Sequence, residues 1–558
     1  MKKRKFWYIA ISLILVITLI VNLTSMSYNT VDMSKITNTL QEKMTDNTDK
    51  ISVSIWCSDS DISAMQARVQ TSVATLSKDS ELRISSNALT NNILNSSKEI
   101  KKNYRSSVSQ VYKTDNEDFV SNYLNAQSVI YISRYAPMII ANLTNEEILT
   151  LTTISEVVSI DYYEESDFET ANFDTSSESE SINSLTTQLS NYTGVGVNIG
   201  VFDGGIPTEA ETEGMNVIDT LGDPQGTHAG FVASVLKEIA PDANYYFAGN
   251  AAGVSYTEYI EWLLDQGVDI INTSLAYGGD GNSNYGNFSK WIDHIAYNHY
   301  VLIVKSSGYY DVVSCPGMAY NIMTVGQIKQ INGEYVWDSG SGYYQGSTYA
   351  SKPDICALGT MGTSEAAPRV AATAALLIEA DPMLSYSPEL LKAIMAASVD
   401  TTTSHHYVPT QRSTVVTSYQ QVGAGLLSTA NSIETATNNQ TRCTSLTSTK
   451  TSQTYTFTIA SEDVGSLVRV AMAYTVPVDA SGSHGENEIE VYTIPNLDLY
   501  VYAPNNSVAN WISGTTNNNV EIVEFTPTVP GLYTIEVNTV TGTASTESIY
   551  FGVAWSIQ

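Results

Sequence analysis

Gly362-Thr363-Ser364-Glu365-Ala366-Ala367-Pro368 opens a run rich in Ala, Val and Leu that closes at Asp381-Pro382. The pattern predicts a buried helix with a serine at its start. Pro368 suits a first helical turn, where a missing N–H costs nothing. A serine at a helix N-terminus sets its hydroxyl and backbone N–H where oxyanion charge would develop. Upstream, Gly226-Thr227-His228-Ala229-Gly230 leads into Val232, Val235, Leu236 and Ile239. These fall at i, i+3, i+4 and i+7, so His228 belongs to the first turn of another helix. Further upstream, Gly194 to Phe202 reads as a buried strand ending at Asp203-Gly204-Gly205. A carboxylate at the C-terminal edge of a strand reaches an imidazole across an α/β crevice.

Taken singly, Asp-Gly-Gly is most often a turn and Gly-Thr-His a loop and a cap. Together, in the order Asp203, His228, Ser364, they form a candidate acid–base–nucleophile set. On these segments the chain resembles the subtilisin-like serine protease family over roughly residues 190–435. Further segments carry the likeness. Asp269-Ile270-Ile271-Asn272-Thr273-Ser274-Leu275 resembles the family's central strand leading into a substrate-binding segment. Lys352-Pro353-Asp354-Ile355 resembles the stretch before the nucleophile, and Val422-Gly423-Ala424-Gly425-Leu426-Leu427 the closing strand. The resemblance implies a mostly parallel α/β sheet with helices on both faces, and peptide-bond hydrolysis through an acyl-enzyme. Asp203 would orient His228, His228 would be the general base and Ser364 the nucleophile. Gly253, Val254, Ser274, Leu275, Ala276 and Gly308 are the expected substrate-binding positions, within a groove reaching Gly278 and using main-chain partners.

One position departs from the family. Val304-Lys305-Ser306-Ser307-Gly308-Tyr309 places Tyr309 where an oxyanion-hole Asn is expected. Losing one such donor costs about 10²–10³ in turnover. Asn250 and Asn272 are alternative donors. Glu365 adds a charge next to the nucleophile. The competing function is therefore an impaired relative that acts by binding peptides or a partner. A third class is a surface protein whose C-terminal region is the active part.

Composition agrees with export. The chain has 558 residues, 43% of them hydrophobic, only 15% charged, and a net charge of −31. That balance argues against nucleic-acid binding. Lys2-Lys3-Arg4-Lys5 followed by the apolar run Phe6 to Val21 reads as a signal peptide or an uncleaved anchor over residues 1–28. Membrane attachment is expected only in the second case. A secreted or cell-surface protein of bacterial type follows from this start. Four cysteines, Cys57, Cys315, Cys356 and Cys443, are widely spaced. Metal ligation is not expected; the four read as free or buried thiols, with Cys315–Cys356 the one alternative disulfide inside the α/β region.

Between residues 29 and 165 the sequence predicts a small α+β unit. Val129–Ser133 and Val157–Ile160 read as strands, and Thr144 with Glu147 as a capping box. The likeness is to a subtilase prodomain, which implies an intramolecular inhibitor. The alternative is that no cut occurs and the unit is a permanent interaction domain. Residues 166–190, rich in Ser and Glu, read as a linker where maturation would cut, and 191–438 as the catalytic domain. From 445 to 558, alternating runs with Gly, Pro and Asn between them predict an all-β, jelly-roll-like sandwich. Asp498, Glu521 and Glu524 are candidate ligands for a structural calcium, weighed against an ordinary solvated face. No cofactor is required. His294, His299 and His405-His406 are assigned no chemistry.

Overall fold

The strand β5 (Asn198–Phe202) is buried along its whole length, because strands cover both of its edges and helices both of its faces. It lies inside a sheet formed with β6 (Asn216–Gly222), β7 (Asn244–Gly249), β8 (Ile270–Thr273), β9 (Leu302–Ser306), β10 (Met323–Ile331), β11 (Glu334–Trp337) and β12 (Ile355–Leu358). The order is β11-β10-β9-β8-β5-β7-β6, with β12 also on β10. Every pairing is parallel except β10 with β11. This is the doubly covered α/β sheet expected from the sequence. In this computed structural model the described residues are 31–46, 49–81, 87–163, 191–224, 226–276, 283–309, 312–344, 349–402, 419–478, 494–540 and 548–558. The expected signal segment, the linker, His405-His406 and Gly278 lie outside them.

One face of the sheet carries the helices Gly226–Ile239 and Thr363–Ala380, packed through Val232, Leu236, Val370 and Leu377. The other carries Tyr256–Asp265 and Asn287–His299, packed through Ile260, Leu263, Trp291 and Ile295. Ser255 and Glu258 close the first of these with a capping box. The expected closing strand is reduced to one parallel bridge, Cys356 to Leu426, after the short helix Tyr419–Val422.

The N-terminal unit has an antiparallel sheet of β1 (Ile51–Cys57), β2 (Val129–Ile132), β3 (Met138–Leu143) and β4 (Val157–Tyr162), in the order β2-β3-β1-β4. The Thr144–Glu147 capping box is present. Between β1 and β2 stand two helices that hydrophobic periodicity does not announce, Ser63–Glu81 and Asn87–Tyr123. The buried stripe of the longer one includes Ser97, Lys101, Arg105, Ser109 and Asn116 beside Val108 and Tyr112. Polar residues with buried partners replace the apolar i, i+4 pattern, so the period is hidden.

The C-terminal region has two sheets. One contains β13 (Thr441–Leu446), β15 (Val468–Tyr474), β18 (Val520–Phe525) and β20 (Ile549–Ile557), ordered β13-β20-β15-β18. The other contains β14 (Ser452–Ile459), β16 (Leu497–Tyr502), β17 (Trp511–Ser513) and β19 (Gly531–Thr539), ordered β14-β19-β16-β17. In β15, Val470 and Met472 fill the sandwich while Ala471 and Ala473 face the α/β core. Buried Arg469 crosses that junction, donating to the Ala396 and Ala424 carbonyls and pairing with Glu524 at 2.6 Å. Glu524 is thus committed to Arg469. Buried Glu521 accepts from Ser513 and Thr515, and Asp498 from Tyr500. The three expected calcium ligands have separate partners.

Candidate active site

Strand β5 stops at Phe202, and the next residue, Asp203, is 1% exposed with its N–H bonded to the Ala248 carbonyl of β7. One carboxylate oxygen accepts from the Gly204 N–H at 2.7 Å. Both oxygens lie within 2.9 Å of His228 Nδ1. His228 stands in the first turn of its helix, as its spacing predicts. An imidazole held through Nδ1–H presents Nε2 as its basic nitrogen.

Ser364 lies in the first turn of the helix Thr363–Ala380, behind the N-cap Gly362. Its backbone N–H is among the first four of a helix, which have no intrahelical acceptor. Pro368 lies in the second turn and not the first. Having no N–H, it leaves the Ser364 carbonyl without its helical donor. Ser274 Oγ takes that place at 3.1 Å, and Ser364 Oγ donates in return to the Ser274 carbonyl at 2.9 Å. Asn272 Nδ2 donates to Ser274 Oγ at 3.1 Å, so this candidate oxyanion donor is committed to holding Ser274. Asn250 sits in a left-handed bend just beyond β7, φ 54°.

Gly308 joins this cluster. Its N–H donates to Thr363 Oγ1 at 3.3 Å, and Thr363 Oγ1 donates to its carbonyl at 3.2 Å. Tyr309, bridged to Ser341, lies over the start of the nucleophile helix. A Cβ on Gly362 would sit 2.8 Å from the Tyr309 hydroxyl, and φ at Gly362 is 109°, so only glycine fits there. Tyr309 thus packs its hydroxyl against Gly362, the N-cap of the helix that carries Ser364. The Glu365 charge is not aimed at Ser364. Its carboxylate accepts from the Thr360 and Met361 N–H groups at 2.7 and 3.0 Å and pairs with Arg369 at 3.0 Å.

Of the expected groove residues, Ser274 and Gly308 touch the nucleophile segment. Leu275 is buried in the core, which leaves its main chain for any partner, while Ala276 is half-buried. Gly253 and Val254 form the turn after β7, with open space at Gly253. Cys315 and Cys356 are both buried thiols and are not linked.

Sequence reading passed over Lys305. It is fully buried on β9 and donates to the Ser306 carbonyl and to Ser314 Oγ. Burial pushes its ammonium down to about 7. A lysine ending the run Val301-Leu302-Ile303-Val304 was the available signal.

Ser274→Ala is expected to lower kcat about tenfold. It leaves the Ser364 carbonyl without a donor, and an unsatisfied buried acceptor costs about 1–3 kcal/mol. Steady-state kinetics on a chromogenic peptide measure it; an unchanged kcat would remove Ser274 from the supporting network.

The family model described as "Subtilase family" matches residues 222–425, a span that includes His228 and Ser364 and begins after Asp203. Subtilisin BL of Lederbergia lenta is 30% identical over 228 residues, covering 35% of this chain and 80% of that protein. The chain belongs to the subtilase family. Subtilisin DY of Bacillus licheniformis is 27% identical over 234 residues, 36% of this subtilase and 83% of the relative. The solved structure of fervidolysin from Fervidobacterium pennivorans covers 86% of the subtilase at 13% identity, with a TM-score of 0.41. Residues 451–539 match the bacterial pre-peptidase C-terminal domain, within the C-terminal two-sheet region.

Proposed function

We propose that this subtilase is an exported serine endopeptidase made as a zymogen. The observation that carries the reading is the Asp203–His228 pair, 2.8 Å apart at the sheet edge where Ser364 heads a buried helix. In this reading Asp203 fixes the His228 tautomer and balances the imidazolium when it forms. His228 Nε2 takes the Ser364 proton as Oγ attacks the scissile carbonyl. The Ser364 rotamer must first leave the Ser274 carbonyl. The tetrahedral oxyanion is held by the Ser364 N–H and the helix terminus. His228 then passes the proton to the leaving amine, which yields the acyl-enzyme. Water, activated by the same imidazole, releases the acid. The Ser274–Ala276 and Gly253–Val254 segments would flank the bound peptide.

Tyr309 is the proposed second oxyanion donor, a phenol replacing the family's amide. Tyr309→Phe is then expected to lower kcat by about 10²–10³ with KM nearly unchanged, since the bond matters in the transition state. An unchanged kcat in stopped-flow acylation would move that role elsewhere.

The N-terminal domain would act as the intramolecular inhibitor. Strand β4 leaves it at Tyr162, whose carbonyl accepts from Asn287 Nδ2 in the first turn of the helix Asn287–His299. N-terminal sequencing tests maturation. The wild type should gain a new terminus between about 165 and 190, and Ser364→Ala should not. An intact secreted wild type would overturn the zymogen reading. Among the described residues no helix is long and apolar enough to cross a membrane. Export rests on the basic and apolar start of the chain and on the C-terminal family match.

A further inference from the structure

We propose that the helices Ser63–Glu81 and Asn87–Tyr123 are a permanent anchor. After a cut between the N-terminal and α/β domains, the N-terminal domain stays bound as a second chain through the underside of the sheet. This rests on the maturation reading above but assigns the domain a second, structural task.

The N-terminal domain lies along the helix Asn287–His299 and meets it differently at its two ends. At the nucleophile side, Trp56 Nε1 donates to Asn287 Oδ1 at 3.0 Å, and Lys290 sits 4.5 Å over the Trp56 ring. The opposite side has a different construction. Arg105, 1% exposed, donates to the Val268, His299 and Tyr300 carbonyls at 2.8, 2.9 and 3.2 Å. Tyr104 donates to the Asn298 carbonyl at 2.7 Å. The Asn298, His299 and Tyr300 carbonyls are the last of a helix and the residue beyond it, where a cation is favoured and intrahelical donors are lacking, while Val268 lies in the turn before β8. Lys101 pairs with Asp269, just before β8, at 2.8 Å and also donates to the Ser385 carbonyl. Lys98 donates to Asn198 Oδ1 at the start of β5.

The apolar fit is equally specific. Leu94 belongs to the same continuous core as Val197, Ala240 and Ala243. A Cβ on Gly196 would meet Leu94 Cδ2 at 2.6 Å, so this surface is shaped to that side chain. Ser63–Glu81 also reaches the third domain, where Gln70 donates to the Tyr550 hydroxyl. The hairpin thus supplies donors to carbonyls and a carboxylate of the α/β domain at that surface. It does so at the end of the sheet away from Ser364, where it blocks no substrate.

The test uses the full-length Ser364→Ala protein with the recognition sequence of an unrelated protease inserted between residues 170 and 185. Its outcome does not depend on whether the chain itself is a peptidase. After cutting, both fragments should co-elute in gel filtration at nanomolar concentration and survive repeated dilution. Loss of the N-terminal fragment overturns the proposal. So does resistance to cutting at every inserted position, because the premise is a cut between the domains. Adding Lys101→Met with Arg105→Met should speed dissociation of the cut fragment at least 100-fold; undiminished retention would show that the hairpin is not the anchor. If that variant does not fold, Lys98→Met with Gln66→Met should still give a several-fold faster release, since Gln66 Nε2 donates to Asn298 Oδ1 at 3.1 Å at the rim of the contact, and no change would again count against it.

Discussion

Ser364→Ala is expected to remove about 10⁶ from kcat while leaving the fold intact. The substitution deletes one oxygen from a residue that is 3% exposed, and the bond lost is a single one to the Ser274 carbonyl. A hydrogen bond of that kind is worth about 1 kcal/mol, so the melting temperature should move by only a few degrees. The catalytic loss is larger because Ser364 and His228 act as a unit. His228→Ala should cost about as much as Ser364→Ala, and combining the two should add little. Asp203→Asn, with its geometry kept but the wrong imidazole tautomer favoured, should cost about 10⁴. Residual turnover of about 10³–10⁴ over water should remain in every variant, from the helix terminus and substrate binding. Purified variants assayed on one peptide measure the series. A full additive loss in the double variant would contradict a single catalytic unit.

Lys101→Met is expected to lower stability by about 3–5 kcal/mol, because it leaves Asp269 buried without its closest counter-charge. Both side chains are 1% exposed. Burial lowers the Lys101 ammonium to about 8 against the pull of Asp269. Burial alone would raise the Asp269 carboxyl, but Lys101 and Lys98 outweigh it and hold it below its ordinary value. Lys98 remains in the variant, which places the loss toward the lower end. Asp269→Asn in the Lys101→Met background should recover most of it, since replacing both members of a buried pair is far milder than removing one. Urea denaturation of the four proteins closes the cycle. A loss in the double variant equal to the sum of the two single losses would mean that the pair contributes nothing specific.

The α/β region was legible because its chemistry sits at element ends that carry their own signals. Asp203 follows a Val/Ile strand, His228 precedes an i, i+3, i+4, i+7 pattern, and Ser364 opens an alanine-rich helix. The sandwich was legible for a different reason. Strand β16 alternates buried and half-buried residues, as a strand packed on one face must. The anchor hairpin was not legible, since its buried face carries Lys101, Arg105 and Asn116, whose partners are distant in sequence. Pro368 misled in detail. Its residue type suggested a first turn, while its role one turn later is to free the Ser364 carbonyl for Ser274. That exchange pairs two residues 90 positions apart, which local pattern cannot register. Tyr309 was legible as a departure from the family, but its position over Gly362 depends on the path of the loop.

The central claim is that Ser364 is an activated nucleophile. The direct measurement is to treat the mature protein with a fluorophosphonate, digest it, and map the adduct by mass spectrometry. The account predicts a stoichiometric adduct on Ser364, absent after Ser364→Ala and slowed about as much as peptide hydrolysis in Tyr309→Phe. An unlabelled Ser364 in protein matured by an added protease, or an adduct on another serine that persists in Ser364→Ala, would contradict it.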